Sequence, residues 1–447
     1  MAPIQRGSSP VVLSVWDGVL PGVTGLWLAL ALVKWGNPVI LDYQVPVPAN
    51  WAEVVLTAWP VSWGYAFLVL VCGLALGRSQ WKSSAPTWLL VMPVAWLVWQ
   101  FVSATQTVNR ALTAATLLHF SACVAAFFLG HFALNRVGNL RPFWLGLLGG
   151  FFVVLVIGWR QHFGGLDETR RFFFALPDWQ TYPAEFLKKL SSDRIYSTLF
   201  YPNTLASVVV LLMPVTLASI WSFGDGSSLL AKTITLLVFG ALGMGCLYWS
   251  GSKAGWLIAL SQGVFALAHL SMRLKLKIAI SAVIISSGLG ILWFKHHEYF
   301  GRGSTSAQAR FEYWQVAWDT LTRKPLFGTG PGTFMVIYRD KKSPDAEMTR
   351  LAHNDFLQQG SDSGWPGFLT YSAWIVGSCY VFYRKRTFLI KPEDFAVLIG
   401  LVGVIGQGCV EFGLYVPAVA WTTCCLLGWL IGRVEFGNRV DKPALAS

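Results

Sequence analysis

GTGPGTFMVIYRDKKSPDAEMTRLAHNDFLQQGSDSGWPG, residues 328–367, closes the longest polar interruption in a strongly apolar chain, and its reading decides the fold. With 54% hydrophobic and 13% charged residues over 447 positions, the sequence is too apolar for a water-soluble globule. It reads as a polytopic membrane protein, and the quoted stretch then becomes an extramembrane segment carrying chemistry. Within it, Gly328, Gly330 and Gly332 punctuate a turn whose backbone N–H groups can approach an anion. His353 follows in Ala-His-Asn-Asp, and an imidazole is the natural general base if a hydroxyl must be activated. Gly364, Pro366 and Gly367 end the stretch where the next apolar segment begins.

Working outward, spans of about 20 apolar residues fall near 11–34, 54–77, 87–106, 111–134, 142–159 and 203–222, then 232–250, 254–270, 277–294, 365–383, 394–411 and 415–432. The fold class is therefore all-α, with about twelve transmembrane helices in a GT-C-like arrangement, and 1–447 reads as a single transmembrane domain. Two polar segments interrupt it, 160–202 and 295–364, the second lying between the ninth and tenth helices. Arg136, Arg141, Lys232, Arg273, Lys275, Lys277, Arg384, Lys385 and Arg433 gather in loops on one side, whereas the short loops opposite offer little beyond Arg110 and Lys253. Basic loops face the cytoplasm, so both termini are expected inside and both polar segments outside. The first apolar stretch reads as a retained signal anchor. The Trp-rich positions 51, 59, 63, 81, 88, 96 and 99 suit interfacial belts.

The net charge of +12 has its origin in those loops, so nucleic-acid binding is not indicated. Cysteines 72, 123, 246, 379, 409, 424 and 425 lie in apolar segments without C-x-x-C spacing and read as small core residues. Walker, H-E-x-x-H, G-x-S-x-G and Asp-x-Asp patterns are missing, and neither a metal nor a cofactor is expected.

The remaining polar candidates cluster at the outer ends of the spans. Arg310, preceded by Arg302, opens an amphipathic pattern from Ala307 onward, and a guanidinium can grip phosphate oxygens bidentately. Lys253 sits among small residues in Ser-Gly-Ser-Lys-Ala-Gly, as a phosphate contact or a snorkelling cap. Asn203, after Tyr201 and Pro202, can hydrogen-bond a sugar or diphosphate or simply start a helix. Asn354 flanks His353. Gln407 and Glu411 stand one turn apart near the end of the eleventh span, where Glu411 can orient His353 or pair with an arginine. Asp17, His119 and His131 are polar among apolar neighbours with no partner evident.

Taken in order, Tyr201-Pro202-Asn203, Ser252-Lys253-Ala254-Gly255, Arg310 with Trp314, Pro325-Leu-Phe-Gly-Thr-Gly330, His353-Asn-Asp-Phe-Leu-Gln358 and Gly364-Trp-Pro-Gly367 resemble the bacterial O-antigen ligase and O-antigen polymerase superfamily of membrane glycosyltransferases, over roughly residues 196–415. The family usually has Arg where Lys253 stands, and a His/Asp pair where this chain has Gln407 and Glu411. The resemblance implies a bacterial inner-membrane enzyme that takes a glycan from an undecaprenyl-diphosphate carrier at the periplasmic face. It passes that glycan to an acceptor hydroxyl on lipid A core, another glycan or a protein. It also implies His353 as base or key acceptor-side residue and Arg310 with Lys253 on the diphosphate; because fixed cations can neutralise that leaving group as a metal would, a metal-independent, inverting transfer is expected. The outer loop of moderate length and the absence of any appended soluble domain favour a ligase over a polymerase or a protein O-oligosaccharyltransferase, by analogy of architecture. A transporter or flippase of lipid-linked or anionic solutes is the alternative from another class, and it would place ionisable groups at mid-membrane in several spans. A non-catalytic assembly scaffold is a third, in which His353 and the basic residues would be dispensable together.

Overall fold

A computed structural model describes residues 16–77, 81, 83, 85–175, 177, 179–181, 187, 190–223, 226, 228–301, 305–344, 346–385 and 392–440. Every regular element among them is helical. In chain order these are α1 (Trp16–Lys34), α2 (Trp51–Leu56), α3 (Val61–Leu76), α4 (Thr87–Ala104), α5 (Arg110–Phe128), α6 (Arg141–Arg160) and α7 (Leu166–Phe174). There follow α8 (Pro202–Phe223), α9 (Leu229–Ser250), α10 (Lys253–His269), α11 (Leu274–Gly301) and α12 (Thr305–Arg323). Last come α13 (Phe334–Lys341), α14 (Asp355–Lys385), α15 (Pro392–Gly408) and α16 (Pro417–Val440). Among the described residues seven helical stretches are long and apolar enough to cross a membrane, and α3 and most of α1 are shorter apolar helices.

In lipid, apolar side chains gain little by leaving the surrounding tails, so helices associate through close packing, which small residues permit. The α1–α6 pair follows this rule. A Cβ added to Gly25 would stand 2.9 Å from Phe143 Cα, one on Gly146 2.7 Å from the Gly25 carbonyl carbon, and one on Gly150 2.6 Å from Ala29 Cα. The innermost helix is α16, packed on α1 and α5, with Trp421 stacked on Trp27 at 5.1 Å between ring centroids.

Three helix pairs place the polar residues. α8 with α9, α10 with α11, and the second part of α14 with α15 are neighbours in space, and each pair carries the chain away from one end of the bundle and back to it. α14 bends at Ser363 and Gly364, the latter at φ 69°. A side chain there would also collide with the carbonyl oxygens of Pro325 and Leu326, so glycine is required on two counts.

The helix begins at Asp355, ahead of the edge expected at 365, because its polar first part is buried against protein partners. Gln359 Oε1 accepts Trp96 Nε1 at 2.9 Å and Gln100 Nε2 at 3.1 Å. Trp99 Nε1 donates to the Ser363 carbonyl at 2.8 Å, and Asp362 Oδ2 accepts Tyr415 Oη at 2.8 Å. With most of these polar groups partnered inside the protein, the segment tolerates burial.

Two expectations are corrected here. Trp96 is fully buried and anchors α14, so it belongs to no interfacial belt, whereas Trp51 and Trp81 are exposed. Among the cysteines, Cys409 is exposed and Cys72 half-buried, the other five being buried. His119 and His131 find partners in the Leu414 carbonyl, 2.7 Å away, and Ser83 Oγ, 3.0 Å away. The side chains of Asp17 and Arg302 lie outside the described residues.

Candidate active site

Five segments distant in sequence converge at the end of the bundle where the three helix pairs start and finish. At their centre is Glu411, in the turn between α15 and α16, with only 6% of its side chain exposed. One oxygen, Oε2, faces His353 Nδ1 at 3.0 Å. The other, Oε1, receives the Arg310 guanidinium and Asn203 Nδ2, the latter at 2.5 Å. Asn203 passes the contact on, its Oδ1 accepting Arg194 Nη2 at 2.7 Å, while Arg194 Nε donates to the Ser250 carbonyl at 2.7 Å.

Local sequence explains how each group arrives. Pro202 occupies the first turn of α8, where its missing N–H costs nothing, and Asn203 follows it on the inward side. Gly251, at φ 63°, ends α9, and Ser252 caps α10 through Oγ, which accepts Gly255 N–H at 3.2 Å. Lys253 is thereby the first residue of α10, half-buried and within electrostatic reach of Arg194 and Arg310. The bare Cα of Gly251 gives the Arg194 side chain its room, since an added Cβ would stand 3.1 Å from Nε. Arg310 projects from the early turns of α12, and Trp314 one turn on donates from Nε1 to the His353 carbonyl at 3.2 Å. His353 itself adopts φ 50°, a left-handed conformation uncommon for a residue with a Cβ and of the kind that collects at functional sites.

Electrostatics fix the protonation pattern. Burial alone would raise the Glu411 carboxyl, but the charges and hydrogen bonds of His353 and Arg310 outweigh it and hold the group below its ordinary value. An ionised Glu411 accepts only, so His353 Nδ1 donates to it, and Nε2 is the ring nitrogen turned away from the carboxylate. For Arg194, burial lowers the guanidinium first; Glu411 pushes back and Arg310 adds to the lowering. Lys295, near the end of α11, feels Arg194 and Lys253 and lies 3.5 Å from the Tyr248 ring centroid. The Glu411 carboxylate thus joins one imidazole to the Arg310 guanidinium, and Arg194, Lys253 and Lys295 extend from there as a group of cations within electrostatic reach of one another. Such a site can remove a proton from a hydroxyl at Nε2 while neutralising an anionic leaving group close by.

Other candidates have different surroundings. Asn354 Oδ1 accepts Leu357 N–H at 2.9 Å and caps α14. Gln407 Nε2 lies 3.5 Å from Ser252 Oγ and so supports the residue that caps the Lys253 helix. The glycine turn is no open anion cradle. Gly330 N–H donates to the Asp362 carbonyl and Gly332 N–H to Asp362 Oδ2, both at 2.8 Å, so its N–H groups bind this chain's own α14. Arg194 and Lys295 are additions that the sequence reading missed. Arg194 stands in a polar segment without periodicity, and Lys295 looks like the ordinary basic end of an apolar helix. Among the described residues no group of three or more His, Cys, Asp or Glu side chains is placed to hold a metal ion.

No curated protein matches the chain. Residues 236–372 match the family model described as O-antigen ligase. That segment contains Lys253, Lys295, Arg310 and His353, while Arg194, Asn203 and Glu411 lie outside it and join them only through the fold. The match likens that segment, under a third of the chain, to the O-antigen ligase family and supports the O-antigen ligase and polymerase superfamily, whose members are glycosyltransferase-like enzymes.

Proposed function

We propose that the protein transfers a glycan from an undecaprenyl-diphosphate carrier to an acceptor hydroxyl at the periplasmic face of the inner membrane, as an O-antigen ligase does, with both termini cytoplasmic and about twelve crossings. The observation that carries this reading is the Glu411 carboxylate, which holds the His353 imidazole and the Arg310 guanidinium at once.

His353 Nε2 takes the acceptor proton as the oxygen attacks C1 of the sugar. The bond from C1 to the diphosphate oxygen breaks, and its electron pair leaves with the diphosphate. Arg310, Arg194 and Lys253 meet that growing charge as fixed, partly desolvated cations, in the electrostatic role that metal ions fill in other transferases. Glu411 orients the imidazole and stabilises the imidazolium that forms, as the carboxylate of a catalytic triad does.

The test is to incubate purified protein with a lipid-diphosphate-linked glycan and three acceptors, lipid A core, a glycan repeat and a protein, with chelator present. Sugar on lipid A core is the expected result. Sugar on another acceptor assigns the polymerase or protein-glycosylating reading, and vesicle uptake without any glycan product overturns transfer altogether. His353→Ala is expected to abolish the product, and undiminished transfer would remove His353 from the mechanism.

A further inference from the structure

The turn that presents Glu411 is built from residues 409–416, and something must fix its position to within a fraction of an ångström if a carboxylate is to serve both His353 and Arg310. The turn's own backbone bonds are short-range: Cys409 N–H to Gly406, Val410 N–H to Gln407, Tyr415 N–H to Phe412 and Val416 N–H to Gly413. They shape it without locating it. Its location depends on contacts from outside, which fall on Leu414 through its backbone and on Tyr415 through its hydroxyl, the latter accepting from Gln359 Nε2 and donating to Asp362. Leu414 N–H donates to Asp355 Oδ2 at 3.0 Å, and the Leu414 carbonyl accepts from His119 Nε2 at 2.7 Å. Asp355 and His119 come from different helices and are both buried. A third anchor lies next door, where Tyr415 Oη reaches Asp362 Oδ2.

We infer that Asp355, with His119 behind it, is a positioning residue that clamps the Leu414 peptide and so sets the Glu411 carboxylate against His353. The geometry is a two-point dock. His353 meets Glu411 and, two residues along the chain, Asp355 meets Leu414 three residues past Glu411, so one short segment grips the other at both ends. Room for the carboxyl is supplied by glycines. A Cβ on Gly408 would stand 2.9 Å from Asp355 Oδ2 and one on Gly413 3.7 Å from it. Asp355 faces the turn and not the ring, so its effect on the reaction passes through Glu411.

This inference rests on the proposed transfer, and the experiment separates the two. Asp355→Asn keeps an oxygen able to accept Leu414 N–H; Asp355→Leu removes it; Gly408→Ala leaves the carboxyl in place and crowds it from the turn. Steady-state transfer from the lipid-diphosphate-linked glycan is expected to show kcat at least about tenfold lower in the Leu and Ala variants. The KM for that donor should stay within about twofold, and the Asn variant within about threefold of the parent in both constants. In parallel, carbethoxylation of His353 by diethylpyrocarbonate, followed by peptide mass spectrometry at one fixed pH, is expected to speed up several-fold in the Leu and Ala variants only, because the imidazole has lost its carboxylate partner. If the parent transfers no glycan but the carbethoxylation pattern holds, the clamp stands and the reaction assignment falls. An Asn variant as impaired as the Leu variant, a loss carried by KM, or unchanged His353 reactivity in both the Leu and Ala variants overturns the clamp.

Discussion

Replacing Glu411 by Gln removes one negative charge and little volume, at a position where three donors converge. An amide cannot accept on both of its heavy atoms, so His353 or the Arg310 and Asn203 pair must face an NH2 group. On the proposed reading, the kinetic consequence follows from the imidazolium that forms during proton transfer. In the parent that cation arises with its Nδ1 at 3.0 Å from Oε2 of a carboxylate with 6% of its side chain exposed. A charge pair about 4 Å apart at an effective dielectric of about 20 is worth about 4 kcal/mol. At about 1.4 kcal/mol per decade this is a loss of about 10³-fold in kcat. Asn203→Ala is the comparison, since it takes a neutral donor from the same carboxylate and an acceptor from Arg194 and should cost about 1.5 kcal/mol, roughly tenfold. Both are measured as initial rates of glycan transfer at saturating donor in liposomes, on protein that elutes as the parent does. A Glu411→Gln enzyme that loses less than tenfold, or no more than Asn203→Ala, would mean that no imidazolium forms opposite Glu411, and the general-base reading would be refuted.

The Glu411 carboxyl is held below its ordinary 4.5 in the folded protein. The stability given by its ionised form is therefore full above about pH 4.5 and lost as pH falls through the depressed value; thermal midpoints measured from pH 6 to pH 3 should show an acid-side decline that Glu411→Gln lacks. Arg194→Lys gives up the fork that spans the Ser250 carbonyl and Asn203, and the donor KM should rise several-fold; an unchanged KM would take Arg194 off the diphosphate. Gly364→Ala forces a Cβ into φ 69° and against two carbonyl oxygens, so a loss of at least about 2 kcal/mol is expected, read as a lowered thermal midpoint. In a cysteine-free background, Ser343→Cys should react with a membrane-impermeant maleimide in intact spheroplasts and Ser271→Cys only after permeabilisation; the reverse pattern would put the site in the cytoplasm.

Much of this site could be read residue by residue, because an ionisable group at the end of an apolar span stands out against its surroundings. Lys253 and Glu411 were visible for that reason, Asn203 as a polar residue opening a span, and His353 and Arg310 as chemistry-bearing residues in the long polar segment. Of their mutual geometry, the sequence offered only the alternatives that Glu411 orients His353 or pairs with an arginine, and the fold makes both contacts. Nothing local to Glu411 says that its two oxygens serve three donors from α8, α12 and the segment before α14. Asn354 looked equally polar, yet it caps a helix, and side-chain identity alone does not separate a cap from a ligand contact. The glycine turn raised the same ambiguity, since N–H groups that suit a phosphate suit the Asp362 carboxylate as well. Trp96 and Trp88 stand in one apolar span; which of them turns inward depends on the partner surface, here the buried polar part of α14.

The way the chain revisits this end of the bundle explains why ordered fragments were recognisable even where the edges of individual spans moved. Asn203 starts α8 and Ser250 finishes α9; Lys253 starts α10 and Lys295 lies near the end of α11; Asp355 starts α14 and Glu411 follows α15. Each pair of helices is a hairpin whose two ends belong to the site, so its contribution depends on the chain going out and returning, not on the length of either arm. The opposite turns of the same hairpins carry Lys232 near the first, Arg273, Lys275 and Lys277 at the second, and Arg384 and Lys385 at the third. By the positive-inside rule those turns face the cytoplasm, which on the proposed reading sends His353, Arg194, Arg310 and Glu411 to the periplasmic side together. On that reading, one charge asymmetry repeated over three hairpins orients the bundle with His353 and the cations on the face where a lipid-linked glycan would be met.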